Sequence, residues 1–141
     1  TDWYDRTCFS VVAESMVAPI YAPHSNVIIN RAPFITEKTW KAVAMQHPFM
    51  VVGELGTLEY MRQLGFETFE NLWDESYDTT TDIPERIAKI VNNVVQYTKE
   101  PLDTLTLQKI QHNHARFYDQ NLVRQETIKQ IINPIMEYVS R

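Results

Sequence analysis

Pro33-Phe-Ile-Thr-Glu-Lys-Thr-Trp-Lys-Ala-Val-Ala-Met-Gln-His-Pro48, followed at once by Phe49-Met-Val-Val-Gly53, decides how the rest of the chain is read. Thr36 is a helix N-cap by residue type, and Glu37 suits the positive end of the helix dipole. Trp40, Val43, Ala44 and His47 follow helical spacing and are expected to form the buried face. Pro48 ends the helix. Phe49–Val52 is a continuous apolar run, the signature of a parallel strand covered on both faces. Lys38 lies in the first turn, the electrostatically unfavourable end for a cation. A lysine there makes sense where an anion such as phosphate is to be held.

Working outward, Cys8-Phe-Ser-Val-Val-Ala13 predicts a strand that ends at Glu14-Ser15. Residues 16–33 hold Pro19, Pro23 and Pro33, which predicts a long loop with a short strand at Val27–Ile29. Gly53-Glu-Leu-Gly56 is expected to link a strand to a helix capped by Thr57 and carrying Leu58, Met61 and Leu64. Gly65 is its expected left-handed end. Phe66–Phe69 is expected to be a short strand or extended piece, and 71–81 an acidic, aromatic loop. Asp82-Ile-Pro-Glu85 has the form of a capping box with proline in the first turn. It opens a helix whose expected apolar face is Ile83, Ile87, Ile90, Val91, Val94 and Tyr97. Pro101 breaks that helix, and residues 103–139 predict two further helices, with Pro134 in the last.

The order β, loop, α, β, α, β and then helices predicts one α/β domain over 1–141. Its expected form is a partial Rossmann-like open parallel sheet of three to four strands, with residues 103–139 as a helical extension. Ligands of such sheets sit beyond the carboxyl ends of the strands. Glu14-Ser15, Gly53-Glu54 and Asp74-Glu75 are expected near that edge.

Composition narrows the function classes. The chain has 141 residues, 44% hydrophobic and 22% charged, which is globular composition rather than that of a disordered segment. A net charge of −5 disfavours nucleic acid as main partner. The single cysteine, Cys8, allows no internal disulfide and no cysteine metal cluster, consistent with a reducing, cytoplasmic setting. No apolar run approaches the ~18 residues of a membrane span, and no signal peptide is evident. There is neither a G-x-G-x-x-G nor a Walker sequence.

All three glycines lie between positions 53 and 65. Gly53 and Gly56 either bracket a loop where backbone approaches a ligand or only make a tight turn. Glu37-Lys38 is either a solvated charge pair or a pair contacting ribose and phosphate, since carboxylates accept sugar hydroxyls and ammonium groups pair with phosphate oxygens. Trp73-Asp-Glu-Ser-Tyr-Asp78 concentrates three carboxylates without EF-hand spacing and reads foremost as a solvated loop. His112 and His114 are two residues apart on a predicted helix and point apart. His47 and Cys8 read as core residues, and His24 as a loop residue within reach of the strand ends.

Phe34-Ile-Thr-Glu-Lys-Thr-Trp, then a strand and a glycine, resembles the nucleotide-sugar site of fucosyltransferases and related two-domain (GT-B) glycosyltransferases. In those enzymes a Tyr-Ile-Thr-Glu-Lys-Leu-Trp-like sequence opens a helix, followed by a Pro-Val-Val strand and a glycine. Their upstream strand ends in Phe-Glu-Asn-Ser, which Val12-Ala-Glu-Ser15 resembles. The resemblance covers roughly residues 8–60. It implies a nucleoside-diphosphate-sugar donor as partner, with Glu37 on the ribose, Lys38 on the diphosphate, and Thr36, Gly53 and Gly56 at the same site. It further implies Glu14 near the donor sugar as the catalytic carboxylate, no metal or other cofactor, and sugar transfer to a hydroxyl. The spacing departs from the family, with 22 residues between Glu14 and Glu37, and the asparagine of Phe-Glu-Asn-Ser is missing. Such enzymes also need an N-terminal acceptor domain, which these residues do not supply. The other reading of the chain is a non-catalytic α/β ligand-binding or assembly module, with its late helices making a homodimer contact.

Overall fold

The computed structural model describes residues 4–17, 32–97 and 101–119. The expected strand at Val27–Ile29 and the second late helix, with Leu122, Ile128, Ile131, Ile132, Pro134 and Ile135, lie outside the described residues, as does His24. The described part is α/β, with four α-helices and a two-stranded parallel sheet. Strand β1 (Ser10–Ala13) pairs with β2 (Phe49–Val52) in the register Ser10↔Phe49 to Ala13↔Val52. Hydrogen bonds from Ser10 N to Pro48 O and from Glu14 N to Val52 O extend the ladder at each end. Phe49, Met50 and Val51 are buried, as a strand covered on both faces requires.

Helix α1 (Glu37–Ala44) packs on both strands and on α4 (Thr104–Phe117). Thr36 is its N-cap, accepting from Lys38 N. Its buried residues are Thr39, Ala42 and Val43, while Trp40 is half-buried against Phe66 and Phe117. Ala44 is half-buried, and His47 is buried beyond the helix end, where Ser10 and Thr7 hold its ring. The chain leaves α1 through Gln46 at φ 56, with Gln46 N on Val43 O and His47 N on Ala42 O, a Schellman-type closure.

Helix α2 (Thr57–Gln63) corrects one expectation: its N-cap is Gly56, at φ 74, and not Thr57. The Thr57 hydroxyl donates to Glu54 O at 2.6 Å, bracing the loop from inside. Gly65 is left-handed, at φ 82, as expected of the helix end. A Cβ there would meet the Arg116 guanidinium at 2.5 Å. Gly65→Ala is therefore expected to lower stability by about 1–2 kcal/mol through backbone strain alone. Urea denaturation reads this directly, and an unchanged midpoint would refute it.

Residues 66–69 belong to neither helix nor strand among the described residues. Glu67 exchanges two hydrogen bonds with the Asn113 side chain, Lys109 Nζ donates to Thr68 O, and Phe69 N donates to Glu75. These side chains take the backbone groups that a third strand would have bonded.

Helix α3 (Ile83–Gln96) starts at Asp82, which accepts from Glu85 N, with Pro84 in the first turn. Its expected apolar face is corrected in part, since Ile90 is buried and Tyr97 packs on the core. Of the helix's own residues, Arg86, Ile90 and Asn93 are buried, while Ile83, Ile87, Val91 and Val94 are exposed, Val91 by 54%. The reason is polar. Arg86 reaches the carbonyls of Gly53 and Glu54 after β2 and of Val17 in the segment after β1, and Asn93 grips the backbone of Asp74 from both sides of its amide. These bonds set the rotation of the helix and turn its aliphatic stripe outward. Among the described residues no helix is long and apolar enough to cross a membrane.

Candidate functional site

The carboxyl edge of the two strands is built around Glu14, the residue that follows β1. Its Oε1 accepts from Thr36 N at 3.0 Å and from the Thr39 hydroxyl at 2.6 Å, and its Oε2 accepts from the Thr36 hydroxyl at 2.6 Å. Burial pushes the Glu14 carboxyl up, but the bonds from Thr36 and Thr39 outweigh it and hold the group below the usual carboxylate range. Glu14 is therefore an ionised anchor for the start of α1, with both oxygens occupied. The edge has a second anchor in Glu54, whose Oε2 accepts from Phe34 N at 2.7 Å. Two carboxylates, one after each strand, thus position the segment leading into α1.

Glu37 and Lys38 emerge from this anchored turn as exposed side chains. Lys38 Nζ donates to the Ser15 hydroxyl at 3.2 Å, which lays the ammonium beside the end of β1. Gly53 adjoins the same cluster, since a Cβ there would lie 3.6 Å from the Glu14 Cβ and 3.1 Å from Thr57 Oγ1. The structure therefore brings Glu14, Ser15, Thr36, Lys38 and Gly53 together at one sheet edge.

The Gly53–Gly56 loop faces other partners. Gly56 N donates to Asp78 O at 3.0 Å. The Asp78 carboxylate accepts from Leu58 N at 3.1 Å and Glu59 N at 3.2 Å, so the N-terminus of α2 is already satisfied by an anion of the chain itself. Arg86 fills the space behind the loop. Its guanidinium donates to Gly53 O, to Glu54 O at 3.1 Å and to Val17 O at 3.1 Å.

The three carboxylates of the 73–78 loop diverge. Asp74 accepts from Ser76 N and Oγ, and Glu75 accepts from Thr68, Phe69 N and Arg62. Asp78 caps α2. Burial pushes the Glu75 and Asp78 carboxyls up despite these donors. Among the described residues no group of three His, Cys, Asp or Glu side chains could hold a metal ion. His112 bonds Gly65 O and His114 packs on Tyr118.

Sequence reasoning missed the roles of Asp78 and Arg86. The available signal for Arg86 is its place in the series Arg86, Ile90, Asn93, Tyr97, a second helical stripe beside the aliphatic one. A cavity of about 440 Å³, lined by Trp73, Asn92, Gln96, Tyr97 and Asp103 among others, lies between 71–74, the end of α3 and the start of α4. It shares no lining residue with the Glu14–Lys38 edge. No family model, curated protein or solved structure matches this chain, so its functional reading rests on its own residues.

Proposed function

We propose that this chain is the nucleotide-sugar-binding part of a glycosyltransferase-like protein, acting at the carboxyl edge of β1 and β2. The observation that supports it is the division of labour at α1. Glu14 and Thr36 hold the helix start, and the side chains of Glu37 and Lys38 are left exposed beside it. Lys38 and the first turn of α1 take the donor diphosphate, and Glu37 takes the ribose hydroxyls. In the reaction the bond from the anomeric carbon to the diphosphate oxygen breaks with its electron pair going to the diphosphate, a bond to the acceptor hydroxyl oxygen forms, and the hydroxyl proton passes to the leaving diphosphate or to solvent. Charge develops on the diphosphate, where Lys38 stabilises it. Glu14 serves in this reading as a positioning residue, because three donors already occupy its carboxylate. The complete fold is a Rossmann-like open sheet to which β1 and β2 contribute two neighbouring strands, and the acceptor hydroxyl is presented by another domain or chain.

A second reading, a non-catalytic assembly module, is favoured by the charge-free stripe Ile83, Ile87, Val91 and Val94 on the exposed side of α3. The two are separated by ligand response. Nucleoside diphosphates and nucleotide sugars at tenfold their Kd are expected to stabilise the chain by about 1.4 kcal/mol, a shift of several degrees in Tm. Lys38→Ala is expected to abolish that shift and to change the ligand-free Tm little, because the side chain is exposed. A panel giving no shift, or the same shift in Lys38→Ala, would overturn the transferase reading.

A further inference from the structure

The cavity of about 440 Å³ between residues 71–74, α3 and α4 falls in the size range of small-ligand sites, roughly 300–1,000 Å³. Its walls are fixed by bonds of the chain itself. Asn93 clips the loop to α3 through Asp74 N and O, and the Asn71 amide donates to Thr106 Oγ1 at 2.7 Å, tying the same loop to α4. One wall is aromatic. Tyr97 packs edge-on to Phe9 at 4.8 Å and to Trp73 at 6.2 Å, and Phe9 directly precedes β1. The cavity therefore lies toward the amino end of β1, while Glu14 and Lys38 lie at its carboxyl end.

Among the described residues the polar lining is made of side-chain carboxamides and carboxylates, with no lysine, arginine or histidine. Asn92 and Gln96, one turn apart on α3, are linked by Gln96 Nε2 donating to Asn92 Oδ1 at 3.1 Å. That bond leaves the Asn92 NH2 and the Gln96 carbonyl as an adjacent donor and acceptor, unbonded among the described residues. Asp103 accepts from Thr106 N at 2.6 Å as the N-cap of α4. Burial, and then the neighbouring Cys8, push the Tyr97 hydroxyl up, so it remains a neutral donor.

The described lining supplies no cation for a phosphate or other anion to pair with. Adjacent amide donors and acceptors beside an aromatic wall suit vicinal hydroxyls and the C–H face of a sugar ring. We propose that this cavity is a binding site for a neutral saccharide, with Asn92 and Gln96 bonding its hydroxyls and Tyr97 packing on its ring. The inference is independent of the nucleotide-sugar reading, because the two sites share no residue.

The test is NMR titration of the full chain with maltotriose, cellotriose and chitotriose, following the side-chain amide signals of Asn92 and Gln96, with pyrophosphate as the anion control. At least one trisaccharide is expected to move both signals at millimolar concentration. Asn92→Ala is expected to weaken that binding about tenfold, as loss of a hydrogen-bonding side chain does. Lys38→Ala is expected to leave it unchanged, which keeps a failure here distinct from a failure at the other edge. Both substitutions are at exposed positions, so the fold is retained. The proposal is overturned if no trisaccharide moves these signals, if Asn92→Ala binds equally well, or if pyrophosphate moves them in the same way.

Discussion

Arg86→Ala is expected to destabilise the protein by about 3–5 kcal/mol, the largest effect of any single substitution considered. The Arg86 side chain is 3% exposed and donates to the carbonyls of Val17, Gly53 and Glu54. Truncation leaves these acceptors without their donor and opens a space the size of the side chain. It also removes the positive charge that favours ionised Asp78, whose carboxyl burial already pushes up. Asp78 caps α2, so damage at Arg86 reaches that helix as well. Arg86→Lys is expected to recover only part of the loss, because an ammonium cannot span three carbonyls as a planar fork does. Urea denaturation of the three proteins decides the matter, and a loss below about 1 kcal/mol in Arg86→Ala would show that water replaces the guanidinium without penalty.

Glu14→Ala is expected to cost about 2–4 kcal/mol, since hydrogen bonds to a charged group contribute more than neutral ones. Thr36 N, the Thr36 hydroxyl and the Thr39 hydroxyl lose their shared acceptor, and Thr39 is fully buried. The start of α1 frays, and Glu37 and Lys38 are displaced with it. Donor binding should therefore fall in parallel with stability, whereas Lys38→Ala separates the two.

The same carboxylate gives stability a pH dependence. Its folded-state pKa is lowered, so its contribution is fully present above the unfolded carboxylate value of about 4.3 and disappears as pH falls through the folded value. Glu75 and Asp78 oppose this, because burial raises theirs and the folded state binds their protons more readily. The comparison is therefore made against Glu14→Ala. The stability difference between the two proteins should be constant at neutral pH and shrink on acidification below about pH 4. A difference that stays the same into acid would mean that the ionised form of Glu14 is not what holds α1.

Features set by neighbouring residues were legible in the sequence. Thr36 and Asp82 cap helices because each places a short oxygen-bearing side chain over N–H groups two or three residues ahead. Gly65 ends α2 because the backbone there takes a left-handed turn that glycine adopts without a Cβ penalty. The run Phe49–Val51 is buried because an uninterrupted apolar strand has no polar face to give to water. Thr57 was misread as a cap because its type fits the role, yet the left-handed conformation of Gly56 moved the cap back by one position.

What the sequence by itself determined, then, is the capped starts of α1 and α3, the left-handed end of α2 at Gly65, the buried run Phe49–Val51, and that Glu37 and Lys38 stand in the first turn of α1. The tertiary structure alone decided which faces those elements bury and which carboxylates remain free. Hydrophobic periodicity assigned α3 its aliphatic stripe, but Arg86 and Asn93 turned that stripe to solvent, because buried carbonyls require directional donors and apolar contact does not. Residues 66–69, expected as a short strand or extended piece, form no strand among the described residues, and side chains of α4 and Glu75 take their backbone hydrogen bonds instead. Glu14 looked available for chemistry until Thr36 and Thr39, more than twenty residues away, closed on both of its oxygens. Partners that distant leave no local pattern, since the geometry joining them exists only once the chain has folded.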